Sequence, residues 1–436
     1  MNKNDEILLE VHDLHADGHG VGKAPCGRAV FVMGALPGEQ VRVKILKVKK
    51  RHAYGKILEI IKISPHRLPE SDICPIAGKC GGCQFQHLDY AAQLAFKEKL
   101  IEDALVRIGG LSSPPLLPIL GMDKPYRYRN KAQFPVGPEG MGLYAPRSHR
   151  IIPAADCNIN MSQEVYNVVQ EALKDNPLPV YNEETHQGLL RHVVIREGQN
   201  TGEVMVILVL NGLLAKPIKI DMPYQLIINE NTARTNVILG EKFTTLQGVG
   251  YIHEEIGHIR YRISPRAFFQ INSVQTKVLY DVVAAQINDG ERVIDAYSGI
   301  GGIALYIANK VQKVAGIESV PEAVEDAVYN AILNGIKNAR FLCGPAEDML
   351  PDLLKQGAWD TLILDPPRKG ADVRLLKAAV DAKIPKIIYV SCNPAALARD
   401  LSQLAKGCYQ LTMVQPVDMF PMTGHVEAVC LLEKTC

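Results

Sequence analysis

The sequence predicts a multidomain protein with a small N-terminal β-barrel, a central α+β domain and a C-terminal α/β domain of the Rossmann-like type. Short strand-like runs broken by glycines fill roughly the first 65 residues, strands dominate the middle, and strands alternate with amphipathic helices after Ser264. A chain of 436 residues also exceeds the usual size of a single hydrophobic core. We therefore place the domains at residues 1–65, 66–264 and 265–436.

The first domain is predicted to be a barrel with a basic rim. The runs "ILLEVHDL", "GHGVGKA", "RAVFVMGALPGEQVRVKILKV" and "AYGKILEII" have the strand lengths and turn spacing of small barrels. Its cluster of basic residues comprises Lys44, Lys47, Lys49, Lys50, Arg51 and Lys56. Such a cluster is most often a solvated strand and turn, but on a small barrel it is a common surface for nucleic acid.

Four cysteines form a candidate metal site at the start of the central domain. The run "CPIAGKCGGC" contains Cys74, Cys80 and Cys83, and "AADCNIN" contains Cys157. Three close cysteines and one remote cysteine do not match the paired knuckles of a zinc ribbon. The spacing favours four-thiolate ligation of a [4Fe-4S] cluster, with zinc or unliganded thiols as alternatives.

The rest of the central domain is predicted to contain one helix and then mostly strands. The run "YAAQLAFKEKLIEDALVRIG" has helical periodicity, while "HVVIREG", "GEVMVILVLNG" and "YQLIINEN" favour an antiparallel sheet. The run "YRYRNKAQF" interleaves aromatic residues with Arg127, Arg129 and Lys131. These three cations are candidate RNA contacts, although the same pattern also describes an amphipathic strand.

The C-terminal domain begins with a candidate cofactor loop. In "VIDAYSGIGG" a strand ending at Asp295 is followed by Gly299 and Gly301, and such glycines let a backbone approach a bound nucleotide. Glu318 ends the next strand, where a carboxylate can accept hydrogen bonds from ribose hydroxyls. The pair indicates a nucleoside cofactor without separating a dinucleotide from S-adenosylmethionine, and a plain strand-to-helix turn is a further alternative.

Later strand ends select between these cofactors. Asp365 and two prolines in "LILDPPRKG" are similar to the signature of methyltransferases that act on bases. Cys392 in "SCNP" lies at another strand end, and Glu427 lies in "GHVEAVCLLE". Carbon 5 of uracil is a poor nucleophile until a thiolate adds to C6, and a base must then remove the C5 proton. Cys392 and Glu427 are the candidates for these roles, with His425 competing as the base.

The chain resembles the RNA uracil-5-methyltransferase family over essentially its whole length. The runs "FFQIN", "DAYSGIGG", "LDPPRKG", "SCNP" and "GHVE" occur in the order seen in that family, and the N-terminal barrel resembles the TRAM domain, an OB-like RNA-binding module. The resemblance implies that Cys392 is the nucleophile, Glu427 the base and Phe268 the aromatic residue that stacks on the flipped uracil. It also implies contacts to S-adenosylmethionine from Gln270, Tyr297, Glu318 and Asp365, beside the loop glycines.

Two positions depart from the family pattern. Ser298 stands where many members have cysteine, and Pro345 lies where members often have a polar residue near the adenine. The first departure leaves the proposed chemistry intact, because that cysteine is not the nucleophile. The second leaves the adenine contact unassigned.

We expect an enzyme that forms 5-methyluridine in 23S rRNA, because a TRAM-like barrel and a cluster motif together favour that branch of the family. The alternatives are methylation of uracil in tRNA and a non-catalytic RNA-binding protein of the same fold. The expected partner is RNA, with no DNA or membrane partner, and the chain is expected to be a monomer. The net charge of +1 does not by itself indicate a polyanionic partner. A cytoplasmic location is expected, because no signal pattern is present and the longest apolar run is too short to span a bilayer.

Overall fold

The computed structural model describes residues 1–155, 157–160, 162–214 and 222–435. Within these ranges, no helix has the length and apolar character that crossing a membrane requires. The strands in chain order are β1 Glu6–Leu14, β2 His19–Lys23, β3 Ala29–Met33, β4 Gln40–Val48, β5 His52–Lys62, β6 Lys131–Gly137, β7 Gly140–Tyr144, β8 Ile151–Pro153, β9 Leu190–Glu197, β10 Val204–Leu210, β11 Gln225–Glu230, β12 Lys242–Gln247, β13 Ile252–Ile256, β14 Ile259–Ile263, β15 Arg292–Ala296, β16 Lys313–Glu318, β17 Ala339–Cys343, β18 Thr361–Leu364, β19 Lys386–Ser391, β20 Tyr409–Val417 and β21 Glu427–Lys434. The α-helices are α1 Tyr90–Arg107, α2 Gln163–Asp175, α3 Ser273–Ala285, α4 Gly302–Tyr306, α5 Pro321–Leu333, α6 Ala346–Lys355, α7 Val373–Asp381 and α8 Pro394–Lys406, and a short 3₁₀ helix spans Glu70–Asp72.

The predicted N-terminal barrel is confirmed. Its strands close in the order β1-β2-β3-β5-β4, and β3 pairs with β5 in parallel while the other pairs are antiparallel. Alternate residues such as Val30, Val32 and Val43 fill the interior. Closure also requires Gly55, because a Cβ added there would lie 2.1 Å from Cγ1 of Val43.

The central domain contains a mixed sheet of seven strands in the order β12-β11-β10-β9-β6-β7-β8. Its pairs are antiparallel except for β10 and β11, which pair in parallel. Every residue of β10 is buried, because α2 covers one face of the sheet while the β13–β14 hairpin and α3 pack on the other. The central sheet therefore shares one hydrophobic core with the C-terminal domain.

The C-terminal sheet has the doubly wound α/β architecture that the alternating pattern predicts. Its strands run in the order β17-β16-β15-β18-β19-β21-β20, and β21 is antiparallel to both neighbours. The strand order reverses between β15 and β18, which is where ligands bind in open sheets of this type. The chain segments that follow β15, β16, β18 and β19 therefore meet at one edge.

Helix α1 packs against the C-terminal domain, although it lies within the range predicted for the central domain. Its apolar residues Ile101, Ala104 and Leu105 belong to the core beneath α7 and α8. The chain beyond α1 then follows β20, where the Leu117 amide donates to the Val414 carbonyl over 2.9 Å. Periodicity predicts the apolar stripe of such a helix, but it does not specify the surface that covers the stripe.

A buried ion pair joins α1 to the segment that follows β20. Nζ of Lys97 lies 2.6 Å from Oδ1 of Asp418, and neither side chain has any exposed area. The Tyr90 hydroxyl donates to the other oxygen of Asp418 over 2.9 Å, and Lys97 also donates to the carbonyl of Phe420 over 3.0 Å. Burial lowers the pKa of Lys97, and the charge of Asp418 opposes that shift.

We predict that Lys97→Met destabilises the protein by about 3–5 kcal/mol, because it leaves the Asp418 charge buried without its partner. Equilibrium urea unfolding measures the change. The double variant Lys97→Met/Asp418→Asn should recover part of the loss, since it removes the uncompensated charge. Lys99→Met is the matched control, because that exposed lysine makes surface ion pairs whose loss should cost at most about 1 kcal/mol. Equal losses for the two lysine variants would contradict the prediction.

Candidate active site

A cavity of about 910 Å³ opens at the carboxyl edge of the C-terminal sheet. Eight of the predicted site residues line this cavity, namely Phe268, Gln270, Tyr297, Gly299, Glu318, Asp365, Cys392 and Glu427. Gly301 lies just behind the lining, at the residue that precedes α4. The structure therefore brings together residues from Phe268 to Glu427, because strand ends that are distant in sequence share one edge.

The loop after β15 is a tight turn held to the end of β16. Tyr297, Gly299 and Gly301 have φ angles of +68°, +54° and +83°, a conformation that glycine adopts without strain. The Gly299 amide donates to Oε2 of Glu318 over 3.0 Å, and the Val320 amide donates to Oε1 over 2.9 Å. These hydrogen bonds hold the Glu318 carboxylate at the cavity wall.

Two buried carboxyl groups lie beside this loop. Burial, reinforced by the neighbouring Asp365, raises the pKa of Asp295 to about 8, and burial alone raises the pKa of Asp365 to about 7. Oδ1 of Asp295 and the hydroxyl of Ser298 are buried without a hydrogen-bond partner, and both residues line the cavity. Unpaired buried acceptors beside acidic groups suit a cationic ligand with hydrogen-bond donors. S-adenosylmethionine carries both a sulfonium and an ammonium group, so the residues present fit this donor.

Cys392 and Glu427 meet because β19 and β21 are antiparallel neighbours. Ser391 pairs with Ala428. Cys392 follows Ser391 and Glu427 precedes Ala428, so these two residues lie at the same end of the strand pair. Burial, reinforced by the charges of Glu427 and Asp365 and opposed by Arg368, raises the pKa of the Cys392 thiol to about 11. Burial also raises the pKa of Glu427 well above its ordinary value, with Asp365 adding to the shift and Arg368 again opposing it.

Arg368 is a cavity residue that the sequence analysis missed. It follows the two prolines directly and lowers the pKa of both Cys392 and Glu427. Its place in "DPPRKG", inside a motif already singled out, was the available signal. His425 also lines the cavity, and burial, then Arg368, lowers the pKa of its ring.

The two phenylalanines of "AFFQIN" have different environments. Both residues line the cavity, but Phe269 is 7% exposed and packs in the core, whereas Phe268 is 70% exposed. Exposure of an aromatic side chain to water is unfavourable, and a ligand that covers the ring removes this cost. The structure thus separates a core residue from a candidate stacking residue.

The four cysteines predicted as metal ligands line a second cavity of about 290 Å³. Among the described residues, no group of three or more His, Cys, Asp or Glu side chains is arranged to hold a metal ion, so the predicted metal site is not shown. None of the four residues, Cys74, Cys80, Cys83 and Cys157, forms a disulfide bond. Burial raises the pKa of the Cys83 thiol to about 12.

The three cations predicted as RNA contacts lie near the cysteines and not at the larger cavity. Arg129 and Lys131 line the cysteine cavity, and Arg127 donates from Nη1 to the Cys157 carbonyl over 2.7 Å. Burial, reinforced by Arg196 and Arg129, lowers the pKa of Lys131 to about 7. Their role as RNA contacts stays a prediction.

Two family descriptions and several relatives match the chain. The family described as tRNA (Uracil-5-)-methyltransferase matches residues 244–435, and the TRAM domain matches residues 2–58. The chain is 46% identical over 451 residues to an uncharacterised RNA methyltransferase of Halalkalibacterium halodurans, covering 99% of this chain and 98% of that protein. It is 39% identical over 447 residues to an uncharacterised RNA methyltransferase of Gloeobacter violaceus, covering 98% and 96%.

One solved structure is similar along its whole length. It is the Pyrococcus abyssi tRNA (uracil-54, C5)-methyltransferase in complex with S-adenosyl-L-homocysteine, which is 30% identical with a TM-score of 0.79. The match covers 98% of this chain and 100% of that one. Together with the TRAM match and the near-complete coverage of the relatives, this likeness establishes that the chain belongs to the S-adenosylmethionine-dependent RNA uracil-5-methyltransferase family, with an N-terminal TRAM domain.

Proposed function

We propose that the chain methylates C5 of uridine in 23S rRNA through a transient bond between Sγ of Cys392 and C6 of the uracil. The observation that carries this proposal is the meeting of Cys392, Glu427 and the acidic cofactor loop in one cavity. A methyltransferase that acts on an amine has no need for a thiol and a buried carboxyl group at this place. Carbon 5 of uracil requires both.

In the proposed reaction the Cys392 thiolate adds to C6, and the electron pair of the C5–C6 double bond becomes available at C5. C5 would then attack the methyl group that S-adenosylmethionine supplies, so that a C5–methyl bond forms as the bond from that carbon to the sulfonium sulfur breaks and S-adenosylhomocysteine leaves. Glu427 then takes the C5 proton, the double bond re-forms and the bond from C6 to sulfur breaks, which returns the thiolate. Arg368 lowers the pKa of both groups and so favours the ionised forms that these steps need.

The proposed roles of the other cavity residues are binding and orientation. Gln270, Tyr297, Gly299, Gly301, Glu318 and Asp365 would hold S-adenosylmethionine. Phe268 would stack on the target uracil after it leaves its base stack, since a stacked base cannot present C6 to a thiol. The exposure of Phe268 beside the cavity supports this role.

The second candidate function is methylation of uridine in tRNA. The observation that favours it is the similarity to the Pyrococcus abyssi tRNA enzyme over nearly the whole chain. The combination of a TRAM domain with the four cysteines at one cavity supports the choice of rRNA. Both candidates use the same cavity and the same chemistry.

Mapping of 5-methyluridine in cells that lack the protein tests the choice of substrate. We expect the modification to disappear from 23S rRNA and to persist in tRNA. Re-expression of the wild-type chain should restore it, and re-expression of Cys392→Ala should not. Loss of the modification from tRNA alone would overturn the rRNA assignment in favour of the second candidate.

We predict that Cys392→Ala lowers methyl transfer at least about 10⁴-fold, because no other group forms the bond to C6. Binding of S-adenosylmethionine, measured by calorimetry, should persist because the thiol acts on the uracil. The matched control is Cys343→Ala, which removes an exposed cysteine at the end of β17. Turnover by Cys392→Ala at the control's rate would contradict the covalent mechanism.

We predict that Glu427→Gln slows product release about 10²–10⁴-fold, because a general base is lost while addition and methyl transfer remain possible. A methylated RNA should then accumulate on Cys392 and migrate as an adduct on a denaturing gel with labelled RNA. His425→Ala should release product without accumulation. If His425→Ala accumulates the adduct and Glu427→Gln does not, the histidine is the base.

We also propose that Cys74, Cys80, Cys83 and Cys157 hold a [4Fe-4S] cluster. The four cysteines line one cavity, and a cubane separates its ligands more widely than a single ion does. Arg129 and Lys131 line the same cavity, and their charges would offset that of an anionic cluster. Nothing in the methyl-transfer steps requires an electron, so we assign the cluster a structural role.

We predict that protein purified without oxygen is brown and contains about four iron and four sulfide ions per chain. Cys80→Ala should remove the colour and lower the thermal unfolding temperature, because the energy of cluster binding is coupled to folding. Cys343→Ala should remain brown. Colourless anaerobic protein with one bound zinc would refute the cluster and leave the methyl-transfer proposal intact.

A further inference from the structure

The N-terminal barrel carries a group of aromatic rings that the catalytic cavity does not use. Phe31, His52 and Tyr54 form its centre, with ring centroids 5.7 Å apart for Phe31 and Tyr54 and 5.2 Å apart for His52 and Tyr54. His15 lies 5.8 Å from Phe31, and His19 lies 5.9 Å from Tyr54. We call these five residues the barrel ring cluster.

Strand register places Phe31 and Tyr54 of the ring cluster on the outside of the barrel, whereas His19 is only 4% exposed. Phe31 pairs with Tyr54 across the parallel β3–β5 ladder, so the two rings share one face. The alternating residues Val30, Val32 and Ala53 point inward and are fully buried. Phe31, His52 and Tyr54 are only partly buried, which leaves aromatic surface in contact with water. The barrel core is complete without these rings.

Polar groups fix the rim of the cluster and supply positive charge. Nδ1 of His15 and Nδ1 of His19 each lie 2.7 Å from Oδ1 of Asp17, so one carboxylate holds both rings. Lys47 is exposed and pairs with Tyr54 across the β4–β5 ladder, which places the cation beside the aromatic surface. Aromatic rings beside a cation suit a nucleotide, because the rings stack on the base while the cation meets the phosphate.

The ring cluster also adjoins the mouth of the catalytic cavity. The loop between β1 and β2 contacts the segment before β21 so closely that a Cβ added at Gly424 would lie 1.8 Å from the Ala16 carbonyl oxygen. Ala16 follows His15 of the cluster, and Gly424 precedes His425 of the cavity. One loop contact therefore connects the segment beside the ring cluster to the segment that carries His425 of the cavity.

We propose that the barrel ring cluster is a second base-binding site, which stacks an unpaired nucleobase that flanks the target uridine. The inference rests on the proposed function in one respect, since it takes RNA as the ligand. It assigns the barrel a base-stacking surface in addition to its basic rim. Stacking of this kind accepts any base, so the site anchors the strand and does not read its sequence.

The test uses the full chain and short single-stranded RNAs that contain one central uridine. Each RNA carries the fluorescent base 2-aminopurine at one flanking position, because stacking on an aromatic ring quenches its emission. We expect quenching at one flank with the wild-type chain and its loss with Tyr54→Leu or with Phe31→Leu/Tyr54→Leu. Either variant should also weaken RNA binding about tenfold, the loss of one stacked base. Tyr54→Phe keeps the ring and should behave like the wild type.

Two controls separate stacking from charge and from unfolding. Lys47→Ala should weaken binding at low salt and lose its effect at high salt, whereas the effect of Tyr54→Leu should persist at high salt. Leu8→Ala removes an exposed apolar side chain of the barrel outside the cluster and should change neither quenching nor affinity. Quenching that persists in Phe31→Leu/Tyr54→Leu, or a Tyr54→Leu effect that high salt removes, would overturn the proposal. A wild-type chain that shows the quenching but methylates no RNA would refute the proposed function and not the ring cluster.

Discussion

The arrangement of the whole molecule depends on the segment between β20 and β21, which begins at the buried pair of Lys97 and Asp418. Breaking such a pair leaves a charge without water or partner, so the segment has little freedom to move. Four other parts of the chain contact this segment. Asp418 contacts Tyr90, Pro421 contacts Tyr128, Met422 contacts Gln84 and Phe85, and Gly424 contacts Ala16. The segment ends at Glu427, so the candidate base is positioned jointly by the barrel, the cysteine region, the central domain and α1.

The electrostatics of the cavity follow from the burial that this packing produces. Burial raises the pKa of Asp295, Asp365, Glu427 and Cys392, because each charged form loses water. A cationic methyl donor restores favourable interactions for the acidic groups. The positive charge of Arg368 likewise interacts favourably with the ionised forms of Cys392 and Glu427. Burial therefore favours the uncharged forms of these groups, and a nearby positive charge opposes that preference.

The shared core of the central and C-terminal domains makes the surface around the cavity continuous. The central sheet packs on the β13–β14 hairpin and α3, and Phe268 and Gln270 follow that hairpin directly into the cavity wall. The barrel contacts the segment before β21 through Ala16 and Gly424, one residue before the cavity residue His425. The cavity is thus bordered by an exposed phenylalanine, and the loop that contacts Gly424 carries His15 of the ring cluster. This geometry suits a strand with several unpaired bases.

The sequence by itself determined the barrel, the doubly wound sheet and most of the cavity. Its alternation patterns identify the elements, and parallel strands bring their carboxyl ends to one edge, so Glu318, Asp365 and Cys392 had to converge. Only the tertiary structure decided that α1 joins the C-terminal core and that Phe268 is exposed while Phe269 is buried. It also decided that Arg129 and Lys131 line the cysteine cavity and that Arg368 lies near the thiol of Cys392. Periodicity shows which face of an element is apolar, but the partner of that face is chosen by contacts between residues hundreds of positions apart, which no local pattern contains.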